Sequence, residues 1–192
     1  NPYYENIENL CIKAKNLYNA TLYDIRQFFF ETGKYKNYNQ VNKELIRDSN
    51  PDYRALNCHI AQFVQKRVDS NFASFFTNNK RYKNGETTEK PNISHYKEKD
   101  GKMTVRIPKL GIKKSKNEGY VKIGYPRKNK TITEIRTNIP YEEIVFIEIM
   151  PIGNHFKVIV GYEKELPKIE TNDNYAAIDL DIDNLITMVS NV

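Results

Sequence analysis

Residues 77–102, TNNKRYKNGETTEKPNISHYKEKDGK, decide the fold of this chain, because the spacing of apolar residues changes across them. Before this stretch, apolar side chains recur every three or four residues, which is the period of an amphipathic helix. After it, they alternate with polar side chains, which is the period of a strand. The stretch itself is polar and contains Gly85, Pro91 and Gly101, so we predict a linker or loop there. The chain is therefore predicted to be an α+β protein with its helices first.

Three helices are predicted before this stretch. The first covers residues 4–31, and Gly33 is a natural stop. A second and shorter helix covers residues 38–48, and a third opens at Pro51. Together they predict an antiparallel helical bundle.

The region after the polar stretch consists of short β-rich runs, which predict an antiparallel sheet or a small barrel. Gly153 and Asn154 lie between two such runs and indicate a hairpin. A second polar segment precedes the last run, where we expect a new domain to begin. The predicted organisation is a helical domain at 1–84, a linker at 85–101, a β-domain at 102–170 and the start of a further domain at 171–192.

Charge is unevenly distributed along the chain. Residues 80–136 contain 17 Lys and Arg against 6 Asp and Glu, a net charge of +11, whereas residues 137–192 contain 3 against 10, a net charge of −7. A basic segment suggests a polyanionic partner and an acidic one suggests cations. Cys11 and Cys58 lie far apart, and there is no run of 18 apolar residues and no recognisable signal peptide. Nothing in the sequence therefore favours a disulfide framework, a zinc site, a membrane partner or export.

Three aspartates alternate with apolar residues in the segment YAAIDLDIDNLITMVSNV, residues 175–192. If residues 176–189 formed one strand, Asp179, Asp181 and Asp183 would share a face, with neighbours roughly 7 Å apart. Such carboxylates repel one another unless a cation lies among them, so this face meets solvent, a metal ion or a basic partner. An EF-hand is excluded, because its loop requires glycine at position 6 and glutamate at position 12. Two possibilities stay open: a solvated strand face, and a two-metal nuclease of the RNase H-like kind, which has its first carboxylate on its opening strand. Such a nuclease needs carboxylates from several elements, and one strand supplies only the first of them.

This segment strongly resembles the start of the RuvC-like domain of TnpB, a transposon-encoded, RNA-guided DNA endonuclease ancestral to compact type V CRISPR effectors. That family usually reads IDLG and, a residue or two later, NLAT. The resemblance covers nearly the whole chain. AKNLYNATLYDIRQFFFETGKY is similar to the family's first recognition helix, and NPDYRALNCHIAQFVQKRVDSNFASFF to a helix of the type LPSQVAQQVLRRLDKAFKSFF. IPYEEIVFIEIMPIGNHFKVIVGYEKE resembles the last strands of the family's wedge domain.

The resemblance implies recognition helices, a barrel-like wedge domain and the first strand of an RNase H-like RuvC domain. Asp179 matches the first catalytic aspartate, which binds Mg²⁺. Asp181 stands where glycine is usual, so it is either a weak second Mg²⁺ ligand or simply tolerated. The family's later carboxylates, its zinc ribbon and its first wedge strand have no counterpart here. We therefore expect the N-terminal part of a longer nuclease, which does not cut DNA by itself.

The partners that the resemblance implies are guide RNA from the protein's own locus and double-stranded target DNA with a short flanking motif. The implied location is the cytoplasm of a prokaryote, in association with the nucleoid. In the third helix, an amide side chain such as that of Gln62 can pair with adenine, and the cations can contact phosphates. In the basic segment, lysines can neutralise phosphates and tyrosines can stack on unpaired bases. An ordinary solvated surface is the alternative for each residue. The candidates are Asn57, Gln62, Gln65, Lys66 and Arg67 in the helix, and Lys109, Lys113, Lys114, Lys116, Tyr120, Lys122, Tyr125, Arg127, Lys128 and Lys130 in the basic segment.

Two other functions fit the same residues. The first is a nuclease-dead relative that binds RNA and DNA as a guided repressor, against which the presence of Asp179 argues. The second is a plain RNA-binding module whose aspartates lie on a solvated strand. Cleavage by the complete gene product distinguishes both from the nuclease.

Overall fold

The computed structural model describes residues 3–123, 133–165, 174–179 and 187–191. Within these ranges the protein is mixed α+β, with helices first and short antiparallel strands afterwards, which confirms the predicted class. The helices are α1 (Tyr4–Thr32), α2 (Tyr38–Arg47), α3 (Pro51–Arg54) and α4 (Cys58–Lys83). The strands are β1 (Val105–Pro108), β2 (Ile112–Lys114), β3 (Tyr120–Ile123), β4 (Thr133–Arg136), β5 (Ile144–Ile152), β6 (His155–Tyr162), β7 (Ala176–Asp179) and β8 (Thr187–Ser190).

Local signals at the helix ends explain the helix boundaries. Gly33 ends α1 in the left-handed conformation, and its N–H donates to the carbonyl of Phe29 at 2.9 Å. Asn37 and Gln40 form a capping box at the start of α2. The single helix predicted from Pro51 is wrong, because the extended backbone of Asn57 separates α3 from α4. None of the helices in the described ranges combines the length and the apolar content that a membrane span requires.

The two long helices, α1 and α4, run in the same direction where they contact each other, as the first and third helices of an antiparallel bundle of three do. Asn71 of α4 donates to the hydroxyl of Tyr18 at 3.1 Å, and the Phe76 ring lies 5.7 Å from that of Phe29. These contacts advance in the same direction along α1 and α4. The connection through α2 and α3 carries the chain back before α4 begins.

The strands form small antiparallel sheets with the orders β1-β5-β6, β2-β3-β4 and β7-β8. A 3₁₀ turn at Lys109–Gly111 separates β1 from β2. The hairpin predicted at Gly153 and Asn154 is confirmed, since Ile152 of β5 pairs with His155 of β6.

The helices pack on one face of the β1-β5-β6 sheet, and helices and strands share one buried apolar cluster. Fully burying one such side chain contributes about 1.5–3 kcal/mol. α4 contacts β1, which is an edge strand of that sheet. The buried residues at this helix–sheet contact include Ile60, Val64, Val68, Val105, Ile107, Ile147 and Ile149.

The segment between α4 and β1, predicted as a linker, returns along α1. Arg26 donates to the carbonyl of Ser94 at 3.3 Å, and Met103 N–H donates to the carbonyl of Cys11 at 3.4 Å. Between these ends, side chains of α1 bind the backbone of Lys97 and Lys99. We refer to residues 94–103 as the return segment.

The C-terminal aspartate segment is not the continuous strand that residues 176–189 were expected to form. The chain reverses, so that β7 and β8 pair antiparallel, with Asp179 opposite Thr187 and Ile178 opposite Met188. Every described side chain of this hairpin is exposed. Asp181 and Asp183 lie outside the described residues, and with them the expectation of a shared aspartate face.

Candidate nucleic-acid interface

A groove of about 300 Å³ lies between α4 and the β1-β5-β6 sheet, and we refer to it as the α4–β1 groove. One wall belongs to α4, and the other to β1, β5 and the residue that precedes β1. The groove contains three cationic side chains and one carboxylate. Its lining residues are Phe63, Val64, Lys66, Arg67, Thr104, Arg106 and Glu148.

The helical wall is one stripe of α4. Phe63, Lys66 and Arg67 follow the i, i+3, i+4 spacing that places side chains on a common face. Phe63 is 37% exposed, and the Lys66 ammonium lies 5.7 Å from the centre of its ring. Arg67 donates to the carbonyl of Thr104 at 3.5 Å, so that it spans from helix to strand. This wall therefore combines an accessible ring with two cations.

The strand wall contains Arg106, which lies on the outer face of β1 because its neighbours Val105 and Ile107 point into the core. Its guanidinium carbon lies 3.7 Å from the centre of the Phe146 ring. Glu148 is its partner across the strands, yet among the described residues Arg106 forms no ion pair. The guanidinium donors are therefore available to a ligand in the groove.

Charge and shape together suit the groove to a polyanion that has flat apolar groups. Three cations against one carboxylate give the lining a formal charge of +2. Phosphates are held mainly by Lys and Arg, and aromatic rings accept unpaired bases by stacking. The groove is therefore a candidate nucleic-acid interface.

The structure does not bring the five residues predicted on the third helix together. Lys66 and Arg67 line the groove. Asn57 caps α4 through its side-chain oxygen, which accepts from His59 N–H at 3.0 Å, and Gln62 contacts the Tyr53 hydroxyl.

The prediction that Gln65 contacts nucleic acid is wrong for this structure, because its side chain is only 1% exposed. It lies in the core of the helical region among apolar side chains. Its Oε1 and Nε2 atoms lack a hydrogen-bond partner among the described residues. A single amphipathic stripe had placed this residue outside the core, whereas the structure buries a wider face of α4.

None of the described candidates of the basic segment lines the groove. Lys109 is half-buried, its ammonium donates to the Tyr141 carbonyl, and it lies 3.7 Å from the centre of the Tyr141 ring. Lys114 pairs with Glu142 at 2.8 Å, and this hydrogen bond raises the pKa of Lys114 and lowers that of Glu142. These two lysines therefore have partners within the protein.

The other candidates that the structure describes lie on or beside the β2-β3-β4 sheet. Lys113 is exposed opposite Lys122, and Lys122 contacts Glu134 at 3.5 Å. Lys116 is exposed, and Tyr120 is 36% exposed. Residues outside the described ranges are Tyr125, Arg127, Lys128 and Lys130, and their predicted contacts stay predictions.

Glu134 organises the turn between β2 and β3. Ser115 donates to its Oε1 at 2.6 Å and Asn117 donates to its Oε2 at 2.9 Å. These hydrogen bonds, that of Ser115 first, hold the pKa of Glu134 below its usual 4.5, and Lys122 adds to the effect. The hydrogen bonds of the sheet and its turn therefore stabilise the charged form of the Glu134 carboxylate.

Asp179, the predicted catalytic residue, lies at the end of β7 with an exposed side chain. Magnesium usually takes one or two carboxylates together with waters and substrate oxygens. Among the described residues no group of three or more His, Cys, Asp and Glu side chains converges to hold a metal ion. Mg²⁺ binding by Asp179 therefore stays a prediction, and Asp181 lies outside the described residues.

Sequence reasoning missed Phe63, Arg106 and Phe146. The i, i+3 spacing of Phe63 and Lys66 was visible, and so was the alternation that places Arg106 outward between two apolar neighbours. The contact between Arg106 and Phe146 had no local signal, because 40 positions separate them in the chain.

No protein-family model and no curated protein matches this chain. The α4–β1 groove is therefore the feature on which a function can be argued.

Proposed function

We propose that this chain binds nucleic acid through the α4–β1 groove and forms the N-terminal part of an RNA-guided DNA endonuclease of the TnpB-like kind. The observation that carries the binding proposal is the convergence of Lys66, Arg67 and Arg106 around the exposed ring of Phe63. The resemblance described above supports the nuclease assignment. In this proposal α1–α4 are recognition helices, the first two sheets belong to a wedge domain, and β7 and β8 open a RuvC-like domain.

The binding surface contacts backbone and stacked bases rather than reading a long sequence. Lys66 and Arg67 contact phosphates from the helix, and Arg106 contacts them from the strand. Phe63 stacks on an unpaired or terminal base. In RNA-guided recognition this division is sufficient, because base pairing between guide and target specifies the sequence while the protein binds backbone shape and a short flanking motif.

The proposed nuclease role concerns the exposed end of β7. The opening position of Asp179 suits a first carboxylate of an RNase H-like site, and its exposure leaves both oxygens accessible. A bound Mg²⁺ supplies an activated water and neutralises charge on the phosphodiester. Asp179 would hold the ion on one side, and the other ligands would be the family's later carboxylates, which have no counterpart in this sequence.

Binding is tested with the 192-residue chain and labelled single-stranded RNA, single-stranded DNA and duplex DNA over a range of salt concentrations. We expect salt-dependent binding whose slope falls by about one for each phosphate-contacting cation removed. The test variants are Lys66→Gln and Arg67→Gln. The matched control is Lys43→Gln, because Lys43 is an exposed helical lysine on α2 away from the groove. Two results would refute the interface. One is the absence of salt-dependent binding by the unmodified chain, and the other is a loss of affinity in Lys43→Gln as large as that in Lys66→Gln and Arg67→Gln.

Cleavage is tested with the product of the complete gene, co-expressed with RNA from its own locus. The purified complex is incubated with Mg²⁺ and a plasmid library that matches the guide, alongside an Asp179→Ala version. Loss of cleavage in Asp179→Ala with RNA still bound supports the nuclease. Bound RNA with no cleavage by either version favours the guided repressor or the RNA-binding module instead.

A further inference from the structure

Gly161, Phe146 and Arg106 form a contact chain across the outer face of the β1-β5-β6 sheet. Gly161 of β6 is the partner of Phe146 of β5, next to a register shift in that pairing. A Cβ atom at position 161 would lie 2.2 Å from Cε1 and 2.4 Å from Cζ of the Phe146 ring. The ring therefore occupies the space that any other residue at 161 would fill.

The position of the Phe146 ring determines where Arg106 can pack. The guanidinium carbon lies 3.7 Å from the ring centre, a separation at which the planar group rests on the ring. An arginine packed in this way buries its flat face and keeps the N–H donors at its rim available. The same arginine lines the α4–β1 groove with Lys66 and Arg67.

Among the described residues, no carboxylate pairs with the Arg106 guanidinium that packs on the Phe146 ring, so this guanidinium can bind a ligand. Glu148 is opposite Arg106 across the strands and lines the same groove, but among the described residues no ion pair joins them. By contrast, Lys114 and Lys122 on the neighbouring sheet each contact a carboxylate. Arg106 is thus held by a ring and not by a counter-charge, which leaves its charge for an anion.

We infer that Gly161 and Phe146 are positioning residues that orient Arg106 toward a nucleic-acid phosphate in the α4–β1 groove. The inference rests on the proposed nucleic-acid binding and adds a specific mechanism to it. Arg106 contacts the phosphate, Phe146 fixes the guanidinium plane, and Gly161 leaves the space that Phe146 requires. Because the cation is already ordered, little side-chain entropy is lost when the phosphate binds.

The experiment measures oligonucleotide affinity and its salt dependence for the full chain with Arg106→Gln, Phe146→Leu and Gly161→Ala. Arg106→Gln is expected to weaken binding roughly tenfold or more and to lower the salt slope by about one. Phe146→Leu and Gly161→Ala are each expected to weaken binding when Arg106 is present. Combined with Arg106→Gln, they are expected to cause little further loss of affinity, because the effects of residues that act through one another do not add. Arg106→Lys is expected to keep the slope and lose part of the affinity, since lysine retains the charge but not the planar fork.

The matched control is Phe156→Leu on β6, which removes a ring whose centre lies 5.6 Å from the Lys102 ammonium. It is expected to leave affinity and salt slope unchanged. Thermal unfolding of each variant separates loss of fold from loss of binding. If Gly161→Ala does not fold, Phe146→Leu carries the test, because it introduces no clash.

The outcomes separate the two proposals. If the unmodified chain shows no salt-dependent binding, the proposed function itself fails. If the chain binds and Arg106→Gln weakens it, but Phe146→Leu and Gly161→Ala bind like the unmodified chain, the positioning role is wrong and the interface stands. If Arg106→Gln binds normally while Lys66→Gln does not, Arg106 is no ligand of the phosphate and the inference is overturned.

Discussion

Asn19 and Lys97 exchange two hydrogen bonds of 2.8 Å each, although 78 positions separate them in the chain. The Asn19 amide donates to the Lys97 carbonyl and accepts from the Lys97 N–H, so one side chain satisfies both backbone groups of a residue outside any strand. Lys15 adds a hydrogen bond to the Lys99 carbonyl one helical turn earlier. The return segment is therefore tied to α1 mainly by polar contacts.

Replacing Asn19 is expected to release the return segment while leaving the helix intact. Asn19→Ala removes two hydrogen bonds, each contributing about 0.5–1.5 kcal/mol, so the free energy of local opening falls by roughly 1–3 kcal/mol. Limited trypsin digestion measures this opening, because Lys97 and Lys99 are cleavage sites within the segment. We expect cleavage there to accelerate roughly tenfold. The control is Asn9→Ala, which replaces an exposed asparagine on the same helix. Equal cleavage rates in the two variants would show that Asn19 does not hold the return segment to α1.

Replacing Gln65 is expected to stabilise the protein. Its side chain is buried, and both amide atoms lack partners among the described residues, which imposes a desolvation cost of about 1–3 kcal/mol. Gln65→Met keeps the length and removes the polar atoms. We expect the free energy of unfolding to rise by roughly 1–2 kcal/mol in urea titrations, with oligonucleotide affinity unchanged. A stability that falls, together with lost affinity, would restore Gln65 as a ligand-contacting residue.

The elements that follow from local sequence were predictable, and those that depend on contacts between distant residues were not. The period of α1, with Gly33 after it, gave both ends of that helix within one residue. The Gly153–Asn154 hairpin was also predictable, because its turn residues lie between two β-rich runs that are adjacent in the sequence. The break at Asn57 was missed because the apolar spacing continues from Leu56 to Ile60 through it, although the capping residue was visible.

The candidate site was only partly predictable for a physical reason. Lys66 and Arg67 could be placed on a polar edge of α4 from the helical period alone. Which edge faces β1 depends on how α4 packs on the sheet, and that packing brings Arg106 into the same groove. Burial of Gln65 likewise depends on neighbours that cover α4 beyond one stripe, which no single-helix pattern contains.

Asn57, a predicted nucleic-acid contact, is expected to act on stability instead. Its side chain caps α4 by accepting from His59 N–H, and removing such a cap costs about 0.5–2 kcal/mol. Asn57→Ala should therefore lower the free energy of unfolding, whereas Asn57→Ser or Asn57→Asp should retain most of it. The salt slope of oligonucleotide binding should equal that of the unmodified chain. An unchanged stability with reduced affinity would return Asn57 to the interface.

Acidification is expected to weaken the β2-β3-β4 sheet through Glu134. Its pKa in the folded protein lies below the ordinary value of 4.5, because Ser115 and Asn117 donate hydrogen bonds to the carboxylate and Lys122 lies beside it. A group whose pKa is lowered by folding contributes stability above its unfolded pKa and loses that contribution as the pH falls through the folded value. The contribution of Glu134 is therefore complete above about pH 5 and declines below pH 4.5.

Glu134→Gln isolates this effect. The amide cannot titrate, so the variant should be less stable than the unmodified chain at pH 7, and the difference should shrink as the pH falls toward 3. Urea titrations at intervals from pH 7 to pH 3 measure it, with Glu118→Gln, an exposed glutamate in the same turn, as the control. A constant difference between Glu134→Gln and the unmodified chain over this range would mean that Glu134 stabilises the turn by its shape and hydrogen bonds alone, independently of its charge.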